Sequence, residues 1–163
     1  MSRRYTSELY EDRVKYIKKL MPDACVGGDV IVGFPGEDKN EFDITLEFIK
    51  NLDMSYLHVF PYSERANTRA ISLNESVPIE ERNKRSKVLR LLSDKKKRYF
   101  YESNLNNVRN VLFENKVSGD FIYGFTDNYI KTKIKFNKEL VGKECNILLK
   151  KVDDDLSVIG EII

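Results

Sequence analysis

The sequence predicts two regions of different fold class, an α/β region followed by an all-β region. In the first region, a β-branched run at 29–32 and a second predicted strand at 55–60 flank a helical pattern, which is the order of a βαβ unit with parallel strands. After about residue 103 the pattern changes to five short strands separated by turns. Short strands at this spacing indicate a small closed barrel.

Helix caps delimit the elements of the α/β region. Thr6 and Ser7 can cap the first helix, and Asp38 with Glu41 has the spacing of a capping box at the start of the second. The run 29–32 is apolar without alternation, which predicts a strand buried on both faces. Two parallel strands leave both sheet edges open, so we expect further structure upstream and self-association of the chain through an open edge.

The predicted boundaries divide the chain into residues 1–77, 78–102 and 103–163. The middle segment is a basic linking helix, because Pro78 is placed to open it and acidic residues follow in its first turn. The strands of the barrel are predicted at 108–113, 120–125, 129–136, 144–149 and 156–162.

Charge is distributed unevenly along the chain, although the net charge is only +2. Residues 82–98 contain nine basic side chains and a single acid, Asp94, so this helical segment alone carries +8. In the barrel, the segment 131–143 contains five lysines and one acid, Glu139. Local excesses of this size indicate a polyanionic partner.

In one predicted strand of the barrel, the lysines recur at every second residue. Alternation along 129–136 puts Lys131, Lys133 and Lys135 on one face and the mostly apolar residues 130, 132, 134 and 136 on the other. Aromatic residues stand nearby in sequence. Lysines among aromatic rings favour binding of single-stranded RNA, with charge for phosphates and flat faces for bases. The alternative is a solvated face whose lysines protect a strand edge.

The turn Gly33-Phe34-Pro35-Gly36-Glu37 leaves the first strand, and the loop from Tyr62 leaves the second at the same end of the sheet. Ligands bind at this end of parallel sheets, so the two loops can line one pocket. An ordinary tight βα turn is the alternative. His58, the single histidine, is more typical of a structural residue than of a general base in this position.

The remaining features exclude several classes of protein. No run approaches the about 20 apolar residues of a membrane span, and no signal peptide is visible, so we expect a cytoplasmic protein without a membrane partner. Cys25 and Cys145 lie far apart, and neither belongs to a pair with metal-ligand spacing. We therefore expect no metal ligands.

Four stretches resemble one family, the radical-SAM tRNA methylthiotransferases. Residues 1–6, 29–37 and 58–65 are similar to later segments of its catalytic domain, and 124–129 to the TRAM domain that ends these proteins. The likeness covers nearly the whole chain and favours the threonylcarbamoyladenosine branch over the isopentenyladenosine and ribosomal-protein branches. It implies the C-terminal remnant of a partial TIM-like barrel, followed by a five-stranded OB-like TRAM barrel.

The resemblance also implies an activity and a set of residues. Such enzymes add a methylthio group to carbon 2 of a modified adenosine beside the tRNA anticodon, using S-adenosylmethionine and two 4Fe–4S clusters. The residues implied to bind S-adenosylmethionine are Ile31, Val32, Gly33, Phe60 and Tyr62. Those implied to contact substrate or the anticodon stem-loop of tRNA are Arg3, Arg65, Asn128, Tyr129, Lys131, Lys133 and Lys135.

The cysteine count limits what this chain can do alone. The family pattern needs a C-x-x-x-C-x-x-C triplet and three further cysteines, whereas the chain has two cysteines in all. We therefore expect a C-terminal portion that binds tRNA, assign it no catalytic residue, and expect no bound cofactor. The alternative is a stand-alone RNA-binding module.

Overall fold

The structure is a computed structural model that describes residues 5–73 and 75–163, with only the backbone of Lys116. The chain forms two compact units. The first ends at Lys96, and the second begins at Lys97. The elements of the first unit are α1 (Ser7–Leu20), β1 (Gly27–Val32), α2 (Lys39–Asn51), β2 (Tyr56–Pro61), a short 3-10 helix (Arg69–Ser72) and most of α3 (Ile79–Ser103).

The first unit is built on the predicted βαβ unit, in which β1 and β2 pair in parallel. Both predicted helix starts are confirmed. The hydroxyl of Thr6 accepts a hydrogen bond from the Leu9 N–H, and the carboxylate of Asp38 accepts one from the Glu41 N–H. Each cap satisfies a backbone donor that the helix itself cannot.

Only one face of the β1–β2 sheet is covered among the described residues. Val32, Leu57 and Val59 point into a core completed by α2 and α3, with Phe42, Ile49 and Leu89 among its members. On the other face Ile31 is 38% and Phe60 50% exposed. The prediction that the first strand is buried on both faces is therefore wrong. The apolar run does not alternate in chemistry, but it alternates in burial, because α2 and α3 cover one side of the sheet.

The second unit is the predicted five-stranded barrel, joined to the last turns of α3. Its strands are β3 (Val108–Ser118), β4 (Phe121–Thr126), β5 (Lys131–Lys135), β6 (Glu144–Val152) and β7 (Val158–Ile162). They close in the order β3-β4-β5-β7-β6, with β5 and β7 parallel and the other neighbours antiparallel. The predicted fold class is confirmed.

Residues that point inward from all five strands fill the barrel. Phe113, Ile122, Ile147 and Val158 are fully buried there. Gly124 is required where β4 passes β3, since a Cβ at this position would collide with the carbonyl oxygen of Leu112. No helix among the described residues combines the length and the apolar character needed to span a membrane.

Candidate functional site

The turn that follows β1 is fixed by its own glutamate. Gly33 and Gly36 both have positive φ, at 76° and 88°, a region that favours glycine. The Gly33 N–H donates to Glu37 Oε1 at 3.0 Å, and Glu37 also accepts two hydrogen bonds from Arg85, through its backbone oxygen and Oε1, both at 2.7 Å. The turn is thus a rigid structure whose acidic side chain is already engaged.

Arg82 of α3 binds several groups of the segment 62–77, which follows β2. Its side chain is 4% exposed and donates to the carbonyl oxygens of Tyr62 and Val77, to Ser76 Oγ at 3.0 Å and to the carboxylate of Glu64. The hydrogen bond from Arg82 lowers the pKa of Glu64 below its ordinary value. One buried guanidinium thus binds both ends of the segment 62–77. The predicted proximity of the two loops comes from backbone hydrogen bonds, from the Tyr62 N–H to the Val32 carbonyl at 2.8 Å and from the Gly36 N–H to the Glu75 carbonyl at 2.9 Å.

Gly33 is needed for this arrangement for a second reason. The stem of Arg82 lies directly against it, so that a Cβ at residue 33 would collide with Arg82 Cγ. The guanidinium also stands over the Tyr62 ring, 5.3 Å from its centroid. Phe34 meets the same ring edge-on at 5.3 Å. Glycine, arginine and two aromatic rings thus pack as one unit at the end of the sheet.

The exposed face of the sheet presents an apolar pair beside a polar pair. Ile31 lies opposite Phe60 in the register, and Asp29 lies opposite His58. His58 is exposed and meets Tyr56 edge-on, with ring centroids 5.1 Å apart. A flat apolar ligand could lie on Ile31 and Phe60, because apolar area there remains open to water.

The residues predicted to bind S-adenosylmethionine fall into two groups. Ile31 and Phe60 share the exposed face, whereas the side chain of Val32 is 1% exposed and belongs to the core on the opposite side. Gly33 is buried under Arg82, and Tyr62 is half-buried with its hydroxyl enclosed and unpaired among the described residues. Any contact to Val32 would thus be to its backbone.

The two predicted substrate arginines of the first region give less information. Arg65 is exposed in the loop after β2, where its carbonyl oxygen accepts a hydrogen bond from the Thr68 hydroxyl at 2.8 Å. Arg3 lies outside the described residues.

The basic segment of α3 is less available than its charge of +8 suggests. Arg82 and Arg85 are buried and bound to the loops. Arg90 donates to the Val59 carbonyl at 3.2 Å, and Lys96 donates to Leu52 and Lys50 carbonyls at the end of α2. Four of the nine cations therefore serve the fold of the first unit.

The outer surface of β4 and β5 forms an aromatic–lysine face. It consists of three cross-strand pairs, in which the register sets an aromatic residue of β4 directly opposite a lysine of β5. These pairs are Phe121 with Lys135, Tyr123 with Lys133, and Phe125 with Lys131. The predicted mixture of cations and rings thus exists on one surface.

Lys133 differs from the other two lysines of this face. It is 5% exposed, and its ammonium group binds the carboxylates of Asp153 and Asp155, which lie in the turn between β6 and β7. Burial acts to lower the pKa of Lys133, but the hydrogen bonds to Asp153 and Asp155 raise it above its ordinary value. The alternation predicted Lys133 in an exposed row with Lys131 and Lys135. In the structure it is buried instead, because the carboxylates of Asp153 and Asp155 cover it.

Asp155 is held in place from several sides. The Ser157 hydroxyl and the Ser157 N–H both donate to Asp155 Oδ1, and the Tyr123 hydroxyl donates to Asp155 Oδ2 at 3.2 Å. Burial acts to raise the pKa of Asp155, but the hydrogen bonds from Ser157 and Lys133 outweigh it and lower the pKa to about 2. The carboxylate is therefore ionised whenever the protein is near neutral pH.

Lys131 and Lys135 remain available on the aromatic–lysine face. The ammonium group of Lys131 lies 4.7 Å from the centroid of the Tyr123 ring, and Lys135 is exposed. Within residues 5–73 and 75–163, neither lysine forms an ion pair with a carboxylate. These two are the cations of the face that a phosphate can reach.

Asn128 and Tyr129, the other predicted RNA contacts, have different environments. Asn128 donates to Asn104 Oδ1 at 3.0 Å and accepts from the Thr126 hydroxyl at 2.7 Å, so it stabilises the turn before β5. Tyr129 is 66% exposed at a positive φ of 68° and packs on Phe125 at 5.4 Å. Of the two residues, Tyr129 is thus the one whose side chain is open to a ligand.

Several residues that shape these sites were not among the sequence candidates. Arg82, Asp153 and Asp155 act over long sequence separations, and only the aspartate run at 153–155 was visible as a local feature. Tyr123 was visible as an aromatic near the lysines. The register shows that it stands directly opposite Lys133.

The two thiols do not form a metal site. Cys25 belongs to the first unit and Cys145 to β6 of the second, and neither is in a disulfide. In the described part of the chain, no three His, Cys, Asp or Glu side chains are grouped to hold a metal ion. The residues present thus do not fit an iron–sulfur cluster, which needs several converging thiolates.

Sequence comparison relates the chain to enzymes that modify tRNA. It is 37% identical to the threonylcarbamoyladenosine tRNA methylthiotransferase of Bacillus subtilis over 155 residues, which cover 93% of the chain and 34% of that protein. The protein of the same name from Aquifex aeolicus is 39% identical over 151 residues, 91% of the chain and 35% of the relative.

A relative with a different named product matches as well. The tRNA-2-methylthio-N(6)-dimethylallyladenosine synthase of Endomicrobium trichonymphae is 33% identical over 163 residues, which is the whole chain and 38% of the relative. The chain thus spans about a third of the length of these proteins. No protein-family model matches it.

Proposed function

We propose, since the chain belongs to the tRNA methylthiotransferase family, that it is the tRNA-docking part of an enzyme that adds a methylthio group to a modified adenosine of tRNA. The position modified would be carbon 2 of an adenosine next to the anticodon. Relatives named for threonylcarbamoyladenosine match at 37% and 39% identity, and one named for dimethylallyladenosine at 33%. We therefore favour threonylcarbamoyladenosine as the substrate nucleoside.

In this proposal the segments of the chain have separate tasks. Residues 1–77 form part of a catalytic barrel, 78–102 link it to the next domain, and 103–163 form a barrel that binds the anticodon stem-loop. Such an enzyme would act in the cytoplasm, where its tRNA substrate is found. The chain would bind tRNA by itself without catalysing the reaction, because it lacks the thiolates for a cluster.

The cofactor implied by the family is S-adenosylmethionine, which when bound supplies the radical that starts the chemistry. The exposed apolar area of Ile31 and Phe60 fits the flat adenine ring, and the Gly33–Glu37 turn ends the same strand. Arg82 and Arg85 hold the adjoining loops in place.

The aromatic–lysine face is the observation that carries the RNA-binding role. Its rings can stack on unpaired bases, and Lys131 and Lys135 can contact phosphates in the same strand of RNA. A face built only to keep a strand edge soluble would need lysines but no row of aromatic partners. In the closed barrel β5 has neighbours on both sides, so it has no free edge to protect.

The binding test compares wild-type chain with a Lys131→Glu/Lys135→Glu variant on purified tRNA. We expect affinity to fall by about tenfold or more. The slope of log affinity against log salt concentration should also decrease by about the amount that two phosphate contacts contribute. Fluorescence anisotropy at a series of salt concentrations measures both quantities. A Lys15→Glu/Lys39→Glu variant makes the same charge change on two exposed helical lysines and should bind nearly as wild type does. Equal losses in the two variants would contradict docking through the barrel.

The activity is tested separately by nucleoside analysis. Deleting the gene that encodes this chain should remove the 2-methylthio form of threonylcarbamoyladenosine from cellular tRNA, and restoring the gene should return it. Mass spectrometry of digested tRNA measures the change. Loss of the dimethylallyladenosine derivative instead would favour the alternative substrate. If both modified nucleosides persisted, the proposed enzymatic activity would be wrong.

A further inference from the structure

The aromatic–lysine face carries less positive charge than its three lysines suggest, because carboxylates bind one of them. The turn between β6 and β7 contains Asp153, Asp154 and Asp155, and two of these carboxylates bind Lys133 directly. The three lysines of the face and the two carboxylates bound to Lys133 sum to a formal charge of +1. A face with this balance attracts a polyanion far less than the row of lysines alone would.

The contact between Lys133 and the turn is a built feature and not a chance surface pair. Lys133 is almost fully buried, and its ammonium group lies 5.2 Å from the centroid of the Phe121 ring and 5.9 Å from that of Tyr123. Asp155 is fixed by Ser157 and by the hydroxyl of Tyr123. The Asp153 N–H donates to the Ser157 carbonyl at 2.8 Å, which closes the turn.

We infer that Asp153 and Asp155 withhold Lys133 from RNA, so that the acidic turn limits the affinity of the barrel for polyanions. The inference rests on the proposed RNA-binding role of the aromatic–lysine face. A phosphate could reach Lys133 only by replacing both carboxylates. The turn therefore reduces the charge-driven, sequence-independent part of RNA affinity, and the aromatic contacts contribute a larger share of what remains.

The position of Lys133 on β5 explains why its release would matter. It lies between Lys131 and Lys135 on the same face of one strand, so the three together would match the repeat of a phosphate backbone. The flexible stem of a lysine can turn its ammonium group outward once the carboxylates no longer hold it. Neutralising the turn should thus add one cation to the middle of the face.

The decisive variant is Asp153→Asn/Asp155→Asn, which keeps the shape of both side chains and the acceptor oxygen for Ser157. We expect it to bind tRNA about three- to tenfold more tightly than wild type. The slope of its log affinity against log salt concentration should also steepen by about the amount that one phosphate contact contributes. The charge-matched control is Asp120→Asn/Asp154→Asn, which removes two carboxylates from exposed positions in turns of the barrel. The control should change affinity less than about twofold, with an unchanged salt dependence.

A second comparison shows whether any gain acts through Lys133. Lys133→Met in the wild-type background should leave the salt dependence nearly unchanged and should reduce tRNA affinity less than Lys131→Met does, whereas Lys131→Met should reduce both affinity and salt dependence. When Lys133→Met is added to the double asparagine variant, the increase in tRNA affinity should disappear. A double-mutant cycle measures this coupling between Lys133 and the two aspartates. The comparison of the two methionine variants does not depend on the asparagine variant folding.

The possible results separate the inference from the proposed function. If Lys131→Glu/Lys135→Glu weakens binding but the asparagine variant binds no more tightly than its control, the inference fails and the docking role stands. Equal losses from Lys133→Met and Lys131→Met would also overturn the inference. If Lys131→Glu/Lys135→Glu binds as wild type does, the docking role and the inference fail together.

Discussion

Two buried cations show what residue-level reading of the sequence could and could not predict. The density of positive charge at 82–98 and 131–143 was visible, but the partners of Arg82 and Lys133 were not. Lys133 is matched by carboxylates about 20 residues later in the chain, and Arg82 by a carboxylate 18 residues earlier. Counting charge along the sequence finds cations, whereas only the fold determines which of them face solvent.

Arg82 offers a direct test at this scale. We expect Arg82→Met to lower the free energy of unfolding by about 3–5 kcal/mol, because buried acceptors at both ends of the segment 62–77 lose their donor. Arg82→Lys should lower the free energy of unfolding less, since one ammonium group can still bind some of the same acceptors. Urea unfolding followed by circular dichroism measures the change.

The control for Arg82 lies on the same helix. Lys84 has a side chain that is largely exposed and forms at most a long ion pair with Glu81, so Lys84→Met should change stability by less than about 0.5 kcal/mol. Similar losses for Lys84→Met and Arg82→Met would show that the hydrogen bonds of Arg82 add nothing to the stability of the loops.

Among the elements, those defined by local signals were predicted best. Caps at Thr6 and Asp38 and the helix after Pro78 follow from side chains next to the backbone they satisfy, so the sequence contains the whole signal. Strand burial has no such local signal. The run 29–32 looks buried throughout, but its exposure depends on which helices cover the sheet.

The limits of β5 show the same distinction. The apolar and basic alternation predicted a strand over 129–136, and the strand covers Lys131–Lys135. It starts later because Tyr129 has positive φ and the Ile130 N–H donates to the Thr126 hydroxyl at 2.8 Å, which makes these residues part of a turn. Phe136, predicted to lie in the strand on the face opposite the lysines, follows the last residue of the strand and is exposed.

At the scale of the whole molecule, the two units differ in how completely they satisfy their strands. The barrel is closed, so every strand has two neighbours. In the part of the first unit that the structure describes, β1 and β2 pair only with each other and leave Ile31 and Phe60 exposed on the uncovered face. Open backbone groups and exposed apolar side chains together favour association with another copy.

We therefore predict that the isolated chain self-associates as its concentration rises and that Ile31→Glu/Phe60→Glu makes it monomeric. Charged side chains on this face would have to be desolvated in a contact, which opposes burial. Sedimentation velocity over a wide concentration range measures the association. The control is Leu20→Glu/Ile44→Glu, which changes two exposed apolar residues of α1 and α2 and should associate as wild type does. A wild-type chain that stayed monomeric at every concentration, or a control variant that dissociated equally, would show that the uncovered sheet does not mediate contact between copies.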